Sequence, residues 1–298
     1  MTLSAPRLGI AGLGLIGGAA AAAWRRAGAV GEMIGFDPDP AAGRLALERG
    51  LVDRVVDRIG ALGDVDVVLV AAPVGACAGV LRELAPALGA QAIVSDVASA
   101  KGAIVAAARI HLGAAFDRFV PAHPIAGSER SGAAHADAGL FSGRRVVTTP
   151  VAETDPSALA RIEDLWRAAG ARIERMTPER HDHVFAAVSH LPHLAAFALV
   201  ATIARAPDAD DLLRLAGGGF RDSTRIAASS AALWRDIALA NAGPLGIELG
   251  RLRESLDEMQ RALGAGDGAA LESLFALASR SRRAWVDPAA TAGVDDGR

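Results

Sequence analysis

The residues best able to do chemistry stand where short apolar runs give out. Gly12, Gly14 and Gly17, in the string Gly12-Leu-Gly14-Leu15-Ile16-Gly17, follow an apolar run that begins at Arg7 and open a stretch of small and apolar residues of helical length. Glycine at the first position permits a tight turn, at the second lets an anion reach the backbone, and at the third lets helix and strand pack closely. The unpaired N–H groups of such a helix start, around Leu15 and Ile16, suit phosphates. Asp37 comes 20 residues after Gly17, at the end of a second apolar run. A carboxylate there accepts hydrogen bonds from both ribose hydroxyls of NAD and repels the 2′-phosphate of NADP. A strand before and a helix after are the context that gives the pattern meaning, so the turn is read as NAD-binding and not as a ligand-free glycine-rich turn. FAD fits the remaining sheet pattern less well.

A cofactor does not name a reaction. Ligands of open parallel sheets lie beyond the carboxyl ends of the strands. Three segments are expected to converge there: Ala71-Ala72-Pro73, Ser95-Asp-Val-Ala-Ser99-Ala-Lys101, and His123-Pro-Ile-Ala-Gly-Ser128-Glu129-Arg-Ser-Gly132. Two more lie further along, Ser189-His-Leu-Pro-His193 and Gly217-Gly-Gly-Phe-Arg-Asp-Ser-Thr-Arg225-Ile-Ala, the latter followed by Leu233-Trp-Arg-Asp236. A histidine titrates near neutrality and can accept a proton, although His123 before proline also reads as a plain turn. Ser99 is an N-cap candidate. Arg225 reads as a bidentate carboxylate binder or as a surface ion pair, with Asp222 spaced to orient it and Arg221 and Arg235 as neighbours. Lys101, the only lysine, either closes a helix start near the cofactor or makes a local ion pair. His190 and His193 suggest a metal, but Pro192 interrupts the turn, no carboxylate lies between them and the HExxH pattern is absent, so no metal is expected. His190 is expected to pack within its helix, and His181 and His183 to be structural.

The elements that would position these groups alternate. Strands are predicted over Arg7 to Gly12, Met33 to Asp37, Asp64 to Ala72, Ala92 to Asp96 and Phe119 to Ala122, with helices over Gly14 to Gly28, Pro40 to Gly50, Gly75 to Leu88 and Ser99 to His111. Such alternation specifies an α/β fold, a doubly wound parallel sheet of Rossmann type. Arg145 to Thr149 and Ala171 to Met176 read as further strands around a helix from Pro156 to Ala169. Beyond Thr177 only helical patterns remain, over Pro178 to Ala206, Ala209 to Leu215, Ala231 to Asn241, Pro244 to Leu263 and Gly268 to Trp285. The expected division is therefore residues 1–176 as the NAD-binding domain and 177–298 as an all-helical domain. A helical half this apolar is expected to bury one face in a second copy, making a homodimer.

Composition narrows the classes. A chain of 298 residues, 51% apolar, is long enough for two folded domains. Disorder is expected only in the last dozen residues. A net charge of -3 argues against nucleic acid. The stretch Leu8 to Trp24 is broken by five glycines and preceded by only Arg7, so neither a membrane span nor a signal peptide is expected. One cysteine, Cys77, excludes an intrachain disulfide, and the cytoplasm fits best. With no tyrosine, a Tyr/Lys proton-transfer dyad is impossible.

Taken in order from Leu8 to about Asn241, the five segments and the nucleotide fold resemble the prephenate and arogenate (cyclohexadienyl) dehydrogenases of tyrosine biosynthesis. The resemblance implies oxidative decarboxylation: a ring carbon gives hydride to NAD, the ring carboxylate leaves as CO2, and prephenate or arogenate becomes an aromatic 4-hydroxyphenyl product, 4-hydroxyphenylpyruvate or tyrosine. It implies that His123 takes up the hydroxyl proton and that Ser99 bonds His123 and positions the nicotinamide near Ala72 and Pro73. Ala98 stands where the family usually has glycine. By resemblance, Arg225 anchors the side-chain carboxylate, Ser189 and His193 line the substrate pocket, and the loop with Ser128 and Glu129 covers the substrate. Two other readings share the fold: a dehydrogenase of small 3-hydroxy acids, and a non-catalytic NAD-sensing module. Neither needs both His123-Pro-Ile-Ala-Gly and Arg225.

Overall fold

The computed structural model describes residues 4–126 and 132–285. From the amino end, β1 (Ala5–Ala11), α1 (Leu15–Arg26), β2 (Val30–Phe36), α2 (Pro40–Glu48), β3 (Arg54–Val55), β4 (Val67–Val70), α3 (Val74–Leu84), β5 (Ile93–Asp96), α4 (Lys101–His111) and β6 (Phe119–Val120) follow in turn. The six strands form one sheet in the order β3-β2-β1-β4-β5-β6, every pair parallel. Along β4, Val67 and Leu69 enter one core while Val68 and Val70 enter the other. Burial on both faces is why this strand is an unbroken apolar run. The chain winds outward from β1 in one direction and from β4 in the other, which leaves a crevice between them at their carboxyl ends. β3 has only two residues and no apolar run to announce it.

Phe119 to Ala122 was expected to be one strand, and it is two. Pro121 has no N–H to give a ladder, so β6 stops at Val120 and β7 (Ala122–Pro124) departs into a second, three-stranded sheet. There it runs antiparallel to β8 (Arg145–Thr148), which in turn pairs parallel with β9 (Arg172–Arg175). Between these strands α5 (Pro156–Ala168) starts on a proline and is capped by Asp155, which accepts from Ser157 and Ala158 N–H at 2.8 Å. It brings Trp166 onto Trp24, whose indole N–H donates to the Leu165 carbonyl at 2.7 Å.

Helices follow: α6 (Pro178–Phe185), α7 (Leu191–Ala204), α8 (Ala209–Arg214), α9 (Gly218–Thr224), α10 (Ala231–Ala240), α11 (Ala242–Ala265) and α12 (Gly268–Ala284). The single helix expected from Pro178 to Ala206 is interrupted by a wide π turn at Ala186–His190, closed by the Leu191 N–H on the Ala186 carbonyl. Pro192 explains it, since a proline inside a helix lacks the donor and clashes with the preceding turn. The stretch Pro178–Ala204 is long and apolar enough to cross a membrane by length and composition, and 22% of its apolar window is buried within the chain. The chain forms two compact units, Met1–Ala242 and Gly243–Arg298. The first carries both sheets and the helices through α10. The second holds the remainder of α11 and α12, joined at Gly266 and Asp267, where Asp267 caps α12 through the Ala270 N–H at 2.9 Å. The disorder expected for the last dozen residues lies outside the described residues.

Candidate active site

Each glycine of the first turn is needed for a different reason. Gly12 has φ +106°, and a side chain there would meet the Ala71 carbonyl oxygen at 2.6 Å. A Cβ on Gly17 would lie 2.0 Å from the Gly12 carbonyl oxygen, so α1 leans directly on the turn. Gly14, by contrast, faces open space, with nothing within 4 Å of where its Cβ would be. It is the N-cap of α1 and makes no side-chain bond to the helix start, and no acidic residue lies in the first turn. Half-buried Leu15 and Ile16 follow it. Asp37, just past β2, accepts from the Leu13 N–H at 2.8 Å and the Asp39 N–H at 2.9 Å, one bond to each oxygen. A carboxylate has about four acceptor positions, so two stay open for hydroxyl donors. Ala72 and Pro73 lead from β4 into α3 at the same carboxyl edge. A cradle that side chains would fill, an uncapped helix start and an acceptor-only group beside it fit a dinucleotide.

At the far side of that edge β7 carries His123. Its Nδ1 lies 2.8 Å from Nε2 of His181, and His181 Nδ1 lies 2.8 Å from Oδ1 of Asp182. Asp182 is fixed in turn, because its oxygens accept the Lys101 N–H at 2.7 Å and the Gly102 N–H at 2.8 Å. Phe185 meets the His123 ring edge-on, centroids 5.0 Å apart. Burial, followed by the cost of adding a charge beside His181, the Lys101 ammonium and His190, holds the His123 imidazole well below its ordinary range. It is therefore neutral at physiological pH, which a proton acceptor must be. Burial raises the Asp182 carboxyl, but the bonds from His181, Lys101 and Gly102 outweigh it and keep the group below the usual carboxylate range.

Lys101 takes the second of the two roles considered for it. Its ammonium is fully buried, 2.5 Å from Asp96 Oδ2 and 2.6 Å from the Ala122 carbonyl. Asp96 also accepts from the Ala122 and Ala98 N–H groups, at 3.2 and 2.8 Å. The pair grips both sides of Ala122 and so fixes the backbone that delivers His123. Ser99 is not the cap of α4. The N-cap is Ala100, without a side-chain bond, and the first N–H groups are satisfied by Asp182 from α6. Among the described residues no hydrogen bond joins Ser99 to His123, whose Nδ1 partner is His181.

The helical segments continue the network. The side-chain amide of Asn241 donates to the Asp182 carbonyl at 2.8 Å and to His190 Nδ1 at 3.0 Å. Trp234 meets His190 edge-on and stacks on His193. His193 donates from Nδ1 to the Ser189 carbonyl at 2.9 Å, and it lies within the electrostatic reach of Arg225. Arg225 begins a short 3-10 turn, Arg225–Ala228. A chain of contacts thus runs from His123 through His181, Asp182, Asn241, His190 and Trp234 to His193, which feels the charge of Arg225.

Two family models cover most of the chain. Residues 20–175 match the prephenate dehydrogenase nucleotide-binding domain, and residues 177–277 match the prephenate dehydrogenase dimerization domain. The chain belongs to the prephenate dehydrogenase family. Within it, the chain is 35% identical over 280 residues to the cyclohexadienyl dehydrogenase of Zymomonas mobilis, covering 93% of this chain and 95% of that protein. Among solved structures, prephenate dehydrogenase from Aquifex aeolicus in complex with hydroxyphenyl propionate and NAD+ superposes with a TM-score of 0.87 at 34% identity, over 95% of this chain and 99% of that one. Synechocystis arogenate dehydrogenase superposes with a TM-score of 0.78 at 31% identity, over 94% and 100% of the two chains. The Rossmann-type sheet followed by helices is the fold of this oxidoreductase family.

Of the residues that the family resemblance points to, Ser128 and Glu129 lie outside the described residues. Asp222 pairs with Arg221 at 3.3 Å, an exposed ion pair, and Arg235 with Asp236 at 2.7 Å. His181, expected to be structural, bonds His123 directly. Trp234 was named only within its segment, and sequence reasoning passed over Asp182 and Asn241. The signal for His181 and Asp182 was an adjacent His-Asp pair just inside a helix start. For Asn241 it was the only asparagine of the chain, set at the end of an apolar helix.

Proposed function

We propose that this member of the family catalyses the NAD-dependent oxidative decarboxylation of prephenate to 4-hydroxyphenylpyruvate, CO2 and NADH, with arogenate, which would give tyrosine, as the alternative substrate. The observation that carries this reading is a neutral, half-buried His123 on β7, which follows directly from the carboxyl end of β6 in the sheet whose β1 leads into the Gly12 turn. NAD, when bound, supplies the hydride acceptor. In this reading the turn at Gly12, Gly14, Leu15, Ile16 and Gly17 holds the pyrophosphate, Asp37 the ribose, and Ala72, Pro73 and Ser99 the approach to the nicotinamide.

The roles of the other residues follow from charge and reach. His123 receives the proton of the ring hydroxyl as the carbon bearing it loses hydride. The electron pair of the bond to the departing carboxylate then completes the aromatic ring, so the step is effectively irreversible. Arg225 offers a planar fork for the side-chain carboxylate. His193 and Ser189 line the pocket beside it, and Ser128 and Glu129 close over the substrate. In the proposed division, residues 1–176 hold the cofactor and 177–298 complete the pocket and join two copies. It is supported by β9 ending at Arg175 and by helices alone thereafter among the described residues. Exposed Val188, Leu199, Leu239 and Ile247, with the match to a dimerization domain, support a homodimer, and the cytoplasm is its proposed location.

The test is NADH formation by purified protein from prephenate and, separately, from arogenate, with the aromatic product identified. His123→Asn is expected to cut turnover by about a hundred- to ten-thousand-fold while NAD still binds. Arg225→Ala is expected chiefly to raise KM. No NADH from either substrate would overturn the function, and near-normal turnover in His123→Asn would overturn the assigned base.

A further inference from the structure

We propose that His181 and Asp182 set the tautomer of His123, leaving its Nε2 as the bare nitrogen that takes the hydroxyl proton. His181 is thus a positioning residue for the reaction proposed above, on which this inference rests.

The argument starts from the group with the fewest choices. An ionised carboxylate can only accept hydrogen bonds. Asp182 is held at the start of α4 by two backbone N–H groups, so the 2.8 Å contact with His181 requires a hydrogen on His181 Nδ1. A neutral imidazole that carries its hydrogen on Nδ1 presents a lone pair on Nε2. That lone pair faces His123 Nδ1 at 2.8 Å, so His123 Nδ1 must be the donor. The remaining nitrogen of His123, Nε2, has no hydrogen. Each ring dictates the next, and the direction is fixed by the carboxylate at the end of the row.

The surroundings keep the row aligned. Phe185 packs on both imidazoles, with centroids 5.0 Å from His123 and 4.4 Å from His181. Asn241 holds the Asp182 carbonyl. Lys101 and Asp96 hold the backbone before His123. The proton balance is simple. When the substrate hydroxyl gives its proton to His123 Nε2, the imidazolium keeps Nδ1–H donated to His181, and its charge faces the Asp182 carboxylate through one ring. As CO2 leaves, the ring oxygen becomes a phenolate and takes the proton back from Nε2 to give the 4-hydroxyphenyl product, so His123 returns to its starting tautomer and neither His181 nor Asp182 changes protonation.

The decisive measurement is long-range ¹H–¹⁵N correlation NMR of histidine-labelled wild-type protein saturated with NAD, assigned by the signals lost in His123→Asn and His181→Gln. Both rings are expected as Nδ1–H tautomers, and an Nε2–H tautomer at His123 would overturn the proposal. Kinetics give a second reading. His181→Leu removes the acceptor and is expected to lower kcat by about a hundredfold or more, with KM and NAD affinity within about threefold of wild type. His181→Gln places an amide oxygen where Nε2 stood and is expected to recover at least about tenfold of that loss. Wild-type kcat in His181→Leu, alongside an inactive His123→Asn, would defeat the relay and leave the base in place. Full turnover in His123→Asn would instead defeat the base. Should His181→Leu fail to fold, the wild-type spectrum and the Gln variant decide.

Discussion

His193 lies flat on Trp234, ring centroids 3.6 Å apart and planes inclined by 21°. With Nδ1 donated to the Ser189 carbonyl, His193 keeps Nε2 as an acceptor. Burial and the field of Arg225 hold it below the ordinary range for histidine, so it stays neutral. Trp234 is what fixes the plane of that ring next to the proposed carboxylate anchor. An aromatic stack contributes about 0.5 to 1.5 kcal/mol beyond its buried area, so Trp234→Ala is expected to lower kcat/KM by up to about tenfold, mainly through KM. Steady-state kinetics with prephenate and arogenate check this. An unchanged kcat/KM on both would show that Trp234 only fills space.

Two glycines of the same turn make opposite predictions. Gly17→Ala drives a Cβ into the Gly12 carbonyl, a backbone group that cannot swing away, and is expected to cost about 1 to 3 kcal/mol in stability. Gly14→Ala meets no protein atom within 4 Å, so its melting temperature without cofactor is expected to match wild type. Its NAD affinity is expected to fall at least about tenfold, because the added methyl stands where backbone must meet pyrophosphate. Thermal unfolding with and without NAD separates the two. Normal NAD binding by Gly14→Ala would mean that the phosphates lie elsewhere.

That turn was legible because everything it needs is local: a strand, a few glycines and a helix start within about a dozen residues. The row from His123 to Asp182 was not, since its two rings are 58 positions apart and meet only once β7 and α6 are packed. Ser99 misled for a related reason. A serine before a helix is the usual cap, but here a carboxylate from a distant helix reaches the same N–H groups first. Pro121 and Pro192 were visible in the sequence, yet their effects were not. One sends a strand into another sheet, and the other widens a helix at Ser189 and His190. Both outcomes depend on which neighbours accept the released backbone groups.

The buried pair beneath His123 is expected to be sensitive to loss of one partner. Lys101→Met leaves the Asp96 carboxylate in a fully buried site without its cation. Breaking such a pair costs about 3 to 5 kcal/mol, because an uncompensated charge remains. Urea unfolding is the check, with kcat measured alongside it, since Ala122 carries the strain directly to His123. A loss under about 1 kcal/mol with normal kcat would show that the pair is not what holds this strand.

Acid stability follows from the same cluster. Burial, then the cost of a second charge beside His181, lowers the His190 imidazole to about 4, against 6.5 for the unperturbed group. Between those values the unfolded chain binds a proton at this position that the folded chain refuses, so stability rises with pH across the window and is lost on acidification. The difference corresponds to roughly 3 kcal/mol at full extent. His123 and His181 are lowered too and act in the same direction. Asp182, lowered below the carboxylate range, adds a loss only at more acidic pH. Melting temperature is therefore expected to fall steeply from neutral pH to about pH 5, well above the range where carboxylates protonate. In His190→Gln that slope is expected to shrink by a fraction of the whole, with His123 and His181 supplying the rest. A melting temperature flat over this interval in wild-type protein would show that the three imidazoles take up protons as readily folded as unfolded, and would remove the basis for treating His123 as neutral.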